Sequence, residues 1–177
     1  MESNVAINSI LHVLTYVFRT RIVVGGTSIL YRIKLHEVIA PVPTHEFNVE
    51  SKHHHHSKLT MWDVGGGKKL RHLWNYYYPG IQVVFYVVDA HNKNRLEEAK
   101  EEFDRVLQDT VLKGVPVLIL ANKQDLNGAL SKDEISSYFG VQDITDRYCD
   151  VIETSARINL GLTECLDRAI ELCKPKS

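Results

Sequence analysis

Asn122-Lys-Gln-Asp125 combines an amide, a long cation and a carboxylate directly after the apolar run Val115-Pro-Val-Leu-Ile-Leu120. A carboxylate in that position accepts from guanine N1–H and N2–H₂ together, and adenine offers neither donor. The tetrad therefore reads as a guanine filter, because the wrong base leaves buried polar groups unpaired. Glu153-Thr-Ser-Ala156 is its expected companion, with Ser155 at the base and the Ala156 backbone N–H toward guanine O6. In Trp62-Asp-Val-Gly-Gly66, Asp63 is placed to hold Mg²⁺ through a water and the Gly66 N–H to read a γ-phosphate. Thr44, after Pro43, is the candidate hydroxyl that closes on Mg²⁺ when triphosphate is bound.

The phosphate end is incomplete. A cradle of the form G-x-x-x-x-G-K-[ST] needs a glycine turn for bare N–H groups, a Lys for the β/γ-phosphates and a hydroxyl for Mg²⁺. Here Gly25, Gly26, Thr27 and Ser28 remain and no Lys precedes Thr27. An ungapped placement would use Thr20 to Thr27 as the loop, which puts Ile22-Val-Val24, a natural strand, inside the phosphate turn. A shortened loop is the better reading, and both placements lose the Lys and the first half of the cradle. At about 1.5–3 kcal/mol for each charge-assisted contact, losing the Lys and one or two amides weakens phosphate binding by roughly 10³-fold or more.

The elements that must position these groups alternate along the chain. Ile22–Val24, Val83–Val88, Val115–Leu120 and Val151–Thr154 are short, β-branched, nearly continuous apolar runs, the pattern of buried parallel strands. Between them, Asn94–Asp109 repeats Leu96, Ala99, Phe103, Val106 and Leu107 at helical spacing, and Leu160–Cys173 does the same as a closing helix. Ser131-Lys-Asp-Glu134 is a capping-box pattern opening a helix toward Phe139. Phe47 to Asp63 breaks the alternation and reads as an antiparallel hairpin with His53 to His56 at its tip. These elements predict an α/β fold, a mostly parallel sheet flanked by helices, whose ligands sit at the carboxyl ends of the strands.

With 177 residues and 44% hydrophobic content, the chain suits one domain with a sizeable core. Its 21 basic and 22 acidic residues, net −1, give no electrostatic case for nucleic-acid binding. Three cysteines, Cys149, Cys165 and Cys173, have neither zinc nor C-x-x-C spacing and read as ordinary thiols of a reducing compartment. No apolar run reaches the roughly 18 residues of a membrane span. Residues 1–19 read as an amphipathic extension and 20–177 as the main domain. Val5 to Phe18 is rich in apolar residues, but its polar side carries no Lys or Arg and Glu2 excludes a myristoylation signal. Three readings stay open for it: a helix on a membrane or partner, a helix packed on the domain, or an extra strand.

Taken in order, Ile29-Leu-Tyr-Arg-Ile-Lys-Leu35, Pro43-Thr-His-Glu-Phe-Asn-Val-Glu50, Trp62-Asp-Val-Gly-Gly66, Leu70-Arg-His-Leu-Trp74 with Tyr77, Val87-Val-Asp89 and Ala121-Asn-Lys-Gln-Asp125 resemble the ADP-ribosylation-factor (Arf) family of small GTPases. The resemblance runs from about Arg21 to the C-terminus. It implies a Ras-like fold with a six-stranded sheet, GTP or GDP with Mg²⁺ as cofactors, and a switch role in vesicle and membrane traffic. Phe47, Trp62 and Tyr77 would match the family's effector-docking aromatics, while the plainer reading of each is a core residue. A cytoplasmic protein, peripheral on Golgi or other endomembranes, is the implied setting.

Against that family's G-L-D-x-A-G-K-T-[ST] pattern, Gly25-Gly26-Thr27-Ser28 leaves the loop shortened, and Gly67 stands where the family carries the Gln that orients the attacking water. Glycine orients nothing, so hydrolysis is expected to be slow or absent. His72 and His45 are poor substitutes, and Glu46 adds bulk and charge where the family has Gly. The alternatives are a nucleotide-free scaffold that presents its switch surface to partners, and a splice or gene-model variant that the transcript across Gly25 and Gly26 would expose. His53 to His56 reads as a solvated turn, an adventitious metal tract or a functional site. Side-chain alternation along a strand lets at most two of them share an ion on one face.

Overall fold

A computed structural model describes residues 18–24, 27–35, 47–64 and 71–174. Six strands form its sheet: β1 (Phe18–Val24), β2 (Phe47–His54), β3 (Ser57–Val64), β4 (Val83–Asp89), β5 (Val117–Asn122) and β6 (Cys149–Glu153), in the order β2-β3-β1-β4-β5-β6. Only β2 is antiparallel to its neighbour, and β1, β3, β4, β5 and β6 run parallel. Their carboxyl ends therefore share one edge, and the sequence expectation of a mostly parallel sheet with one hairpin is met.

Both faces are covered, which is why β5 is apolar at every position from Val117 to Ala121 instead of alternating. On one face, α1 (Thr27–Leu35) and α4 (Leu162–Cys173) bury Ile29, Leu30, Ile33, Leu166 and Ala169 against Leu59, Met61, Phe85, Leu118 and Ile152. On the other, α2 (Leu96–Gln108) and α3 (Lys132–Phe139) bury Phe103, Val106, Ile135 and Phe139 against Val84, Val88, Ile119 and Val151. Phe103 and Phe139 meet edge to face at 5.3 Å, locking α2 to α3. Each such large apolar side chain contributes roughly 1.5–3 kcal/mol by leaving water. The expected capping box is present: Ser131 Oγ accepts from Glu134 N–H at 3.3 Å and Glu134 Oε2 accepts from Ser131 N–H at 2.9 Å.

Boundaries differ from the sequence reading in several places. β1 starts at Phe18, so Phe18 and Arg19 of the expected extension belong to the sheet, aligned with Ser57 and Lys58 of β3. The other residues of that extension, 1–17, lie outside the described residues. β5 begins at Val117 and not Val115: Pro116 has no N–H to donate, and its carbonyl accepts from Val84 before the ladder starts. α4 begins at Leu162, because Leu160 is engaged by Ser155 in an antiparallel bridge and Gly161 turns with φ 70°. The hairpin tip is tighter than the whole histidine run. His53 and His54 are in β2, and only His55 and His56 form the turn.

Candidate functional site

The residues expected to read guanine converge at the carboxyl ends of β4, β5 and β6. Ladder register places Asp89 opposite Asn122, and the chain leaves β5 at Lys123 in a left-handed conformation, φ 73°. Lys123 Nζ then reaches Asp89 Oδ2 at 2.6 Å. After β6, Ser155 Oγ donates to Asp125 Oδ1 at 2.5 Å, and Arg157 lies 3.7 Å from Oδ2. Asn122 Oδ1 accepts the Ala156 N–H at 3.2 Å. Gln124 clamps the turn from behind, donating its side-chain amide to Leu130 O at 2.8 Å and its backbone N–H to Thr154 O. The tetrad is thus cross-braced to the segment after β6 at both Asn122 and Asp125.

The electrostatics keep Asp125 ionised. The Ser155 hydrogen bond holds its carboxyl below the usual carboxylate range, with the Arg157 charge adding to the effect and desolvation opposing it. A carboxylate offers about four lone-pair sites. Ser155 occupies one, so the group retains the acceptor capacity that paired guanine donors require. The donor expected of Ala156 is used differently from the sequence reading, since in this structure its N–H points to Asn122. Gly161 makes the approach of the two loops possible: a Cβ there would lie 2.1 Å from the Glu153 carbonyl oxygen.

The phosphate end is built at β1 and β3. Val24, the last residue of β1, aligns with Asp63, which is 1% exposed and lies on the same β3 face as Leu59 and Met61, the face that α1 covers. α1 opens at Thr27, so Gly25 and Gly26 alone connect strand to helix. Thr20 to Val24, which the ungapped placement assigns to the phosphate turn, are paired with β3. Backbone committed to a ladder cannot also cradle phosphate, and the shortened-loop placement is the one the fold supports. Thr27 and Ser28 form the first turn of α1, the end whose helix dipole favours anions. A hydroxyl at Thr27 and a carboxylate at Asp63 are ligand types that suit Mg²⁺, and no Lys precedes Thr27. Gly25, Gly26, Thr44, His45, Glu46, Gly66 and Gly67 lie outside the described residues.

Of the aromatics expected to dock effectors, Trp62 and Tyr77 meet at 5.9 Å, both half-buried against the α2–α3 core, and the Phe47 backbone pairs with Val64. Tyr77 ends a 3₁₀ helix, Arg71–Tyr77, on which His72 is exposed. Arg71 anchors that helix to α2 through Glu98 at 2.5 Å and Glu102 at 3.0 Å. Sequence reasoning assigned no role to Asp89 or Arg157. Asp89 is the last residue of β4, and applying the strand-end rule to it would have found it; Arg157 carried no such signal.

A model of the ADP-ribosylation factor family matches residues 22–173. ADP-ribosylation factor J of Dictyostelium discoideum is 41% identical over 143 residues, covering 81% of this chain and 76% of that protein. ADP-ribosylation factor 3 of Arabidopsis thaliana is 42% identical over 143 residues, covering 81% and 79%. The solved structure of the Arl6 BBS3 small GTPase from Trypanosoma brucei, which holds the nucleotide analogue GppNp, superposes with a TM-score of 0.79 at 27% identity, over 88% of this chain and 97% of that one. With its Ras-like α/β sheet and the braced Asn122–Asp125 tetrad at the strand ends, the chain belongs to the ADP-ribosylation factor family of small GTPases.

Proposed function

We propose that this chain is an Arf-family guanine-nucleotide switch that holds its ligand mainly by the base, with weak phosphate binding and slow or absent hydrolysis. The observation that carries the reading is the contrast between the two ends of the site. Asp125 and Asn122 are cross-braced to Ser155 and Ala156, whereas two residues replace the cradle between β1 and α1. Thr27 and Ser28 at the α1 N-terminus are the remaining phosphate anchors, with Thr27, Asp63 and Thr44 as Mg²⁺ partners; Gly66 would face the γ-phosphate. Gly67 offers no side chain to orient water, so no residue is assigned to hydrolysis.

Equilibrium binding of guanosine, GMP, GDP and GTP, with and without Mg²⁺, tests it. Guanine-selective binding should gain no more than roughly tenfold from each added phosphate, about 1.4 kcal/mol. Nanomolar GTP affinity with a steep phosphate dependence would overturn the reading. The short β1–α1 connection also favours a second reading, a nucleotide-free scaffold that presents Phe47, Trp62 and Tyr77 to protein partners. That reading holds if no guanine-selective binding occurs at about 100 μM, equivalent to roughly −5.5 kcal/mol.

A role in vesicle traffic at Golgi or other endomembranes follows from family membership together with the apolar N-terminal stretch. Among the described residues no helix is long and apolar enough to cross a membrane, so contact would be peripheral. Co-sedimentation of the full chain with vesicles, compared with a chain lacking residues 1–17, tests the membrane part.

A further inference from the structure

At the edge of the sheet opposite the nucleotide site, the hairpin tip meets α4. His54 Nε2 lies 2.7 Å and His55 Nε2 3.0 Å from the same atom, Asp167 Oδ1, and the two rings sit 4.3 Å apart. Consecutive strand residues point to opposite faces, but His55 has left the strand with φ 49°, and this turn brings both rings to the Asp167 side. Their ligating atoms all lie within 4.8 Å of one another.

We propose that His54, His55 and Asp167 form a binding site for a divalent transition ion, zinc foremost, that clips the β2–β3 hairpin to α4. Two imidazole nitrogens and one carboxylate oxygen suit zinc, copper or nickel, whereas magnesium and calcium favour all-oxygen sets. Tetrahedral ligands at 2.0–2.1 Å from zinc stand about 3.3 Å apart, so the His54 and His55 nitrogens would move off Asp167 Oδ1 by about 0.6 and 0.3 Å from their present 2.7 and 3.0 Å. His54 is largely covered and His55 is 66% exposed, which leaves the fourth position open to water. His53 aligns with Lys58 on the ladder and has no part in the trio.

The site ties the β2–β3 hairpin, whose β3 strand carries Asp63 near its far end, to the closing helix. The assignment does not depend on guanine binding. Titration of the full-length protein with Zn²⁺ by calorimetry, and with Co²⁺ by visible absorption, tests it. One Zn²⁺ per chain is expected, with tetrahedral Co²⁺ bands. Asp167→Asn should weaken Zn²⁺ binding by roughly tenfold or more, about 1.4 kcal/mol, and abolish the bands. His53→Ala/His56→Ala should retain both. Equal Zn²⁺ affinity in wild type and Asp167→Asn would reduce the feature to a histidine tract binding on its own and overturn the proposal, as would absence of saturable binding or its loss in His53→Ala/His56→Ala. Metal-free thermal melts establish folding of each variant, and His55→Gln, at an exposed position, serves if Asp167→Asn is unfolded.

Discussion

Ser155 Oγ donates to Asp125 Oδ1 at 2.5 Å across 30 residues of sequence, so the guanine-reading carboxylate is oriented by the loop after β6 and not by its own tetrad. The folded carboxyl titrates below its unfolded value near 3.9. Stability from this group is therefore present above the unfolded value and lost as pH falls through the folded one. Guanine binding should hold as pH is lowered into the ordinary carboxylate range and fall below it. Ser155→Ala should move that fall to higher pH and weaken binding about tenfold, while Asp125→Ala should cost about 10²-fold or more. Fluorescence titrations with labelled GDP from neutral pH down to about pH 2 provide the check.

Restoring the missing loop should restore the phosphate contribution. A chain carrying a full G-L-D-x-A-G-K stretch between Val24 and Thr27 is expected to bind GTP roughly 10³-fold more tightly than the natural chain. Adding Gly67→Gln to that chain should raise phosphate release, whereas Gly67→Gln alone should leave it at background because the triphosphate is not positioned. Single-turnover hydrolysis of labelled GTP distinguishes these outcomes.

Gly161→Ala should destabilise the fold by about 2 kcal/mol or more, measured by urea unfolding. Its Cβ would meet the Glu153 carbonyl oxygen at 2.1 Å, backbone that cannot move without opening β6, and φ is 70°. The same variant should lose guanine affinity, because Ser155 and Ala156 lie between these two residues.

Thiol reactivity gives a probe of global opening. Burial pushes the Cys149 thiol up to about 12, and Cys165, fully buried on α4, is raised further. Neither should react with a thiolate-directed reagent at pH 8 in the folded state, and both should react once urea unfolds the chain. Fast labelling of Cys165 in native conditions would contradict the α4 packing described.

Local motifs were legible because their chemistry is contiguous. Asn122 to Asp125 follow an apolar strand directly, and the Ser131 capping box is confined to four residues, so periodicity and residue type were sufficient. The shortened phosphate loop was legible for the same reason: Ile22 to Val24 are too strongly strand-forming to serve as a turn. Boundaries were read less well where one atom outweighed the pattern, as the missing N–H of Pro116 does at β5 and the Gly161 turn does at α4.

By itself, the sequence determined the alternation of strand and helix, the family pattern, the place of the Asn122–Asp125 tetrad at a strand end and the absence of a Lys before Thr27, all properties of neighbouring residues. Tertiary structure alone decided which distant groups complete them: Asp89 for Lys123, Ser155 and Arg157 for Asp125, and Asp167 for the two tip histidines. Such pairings depend on ladder register and on where a helix crosses the sheet. Register is set by packing summed over the whole core, which no local spacing encodes.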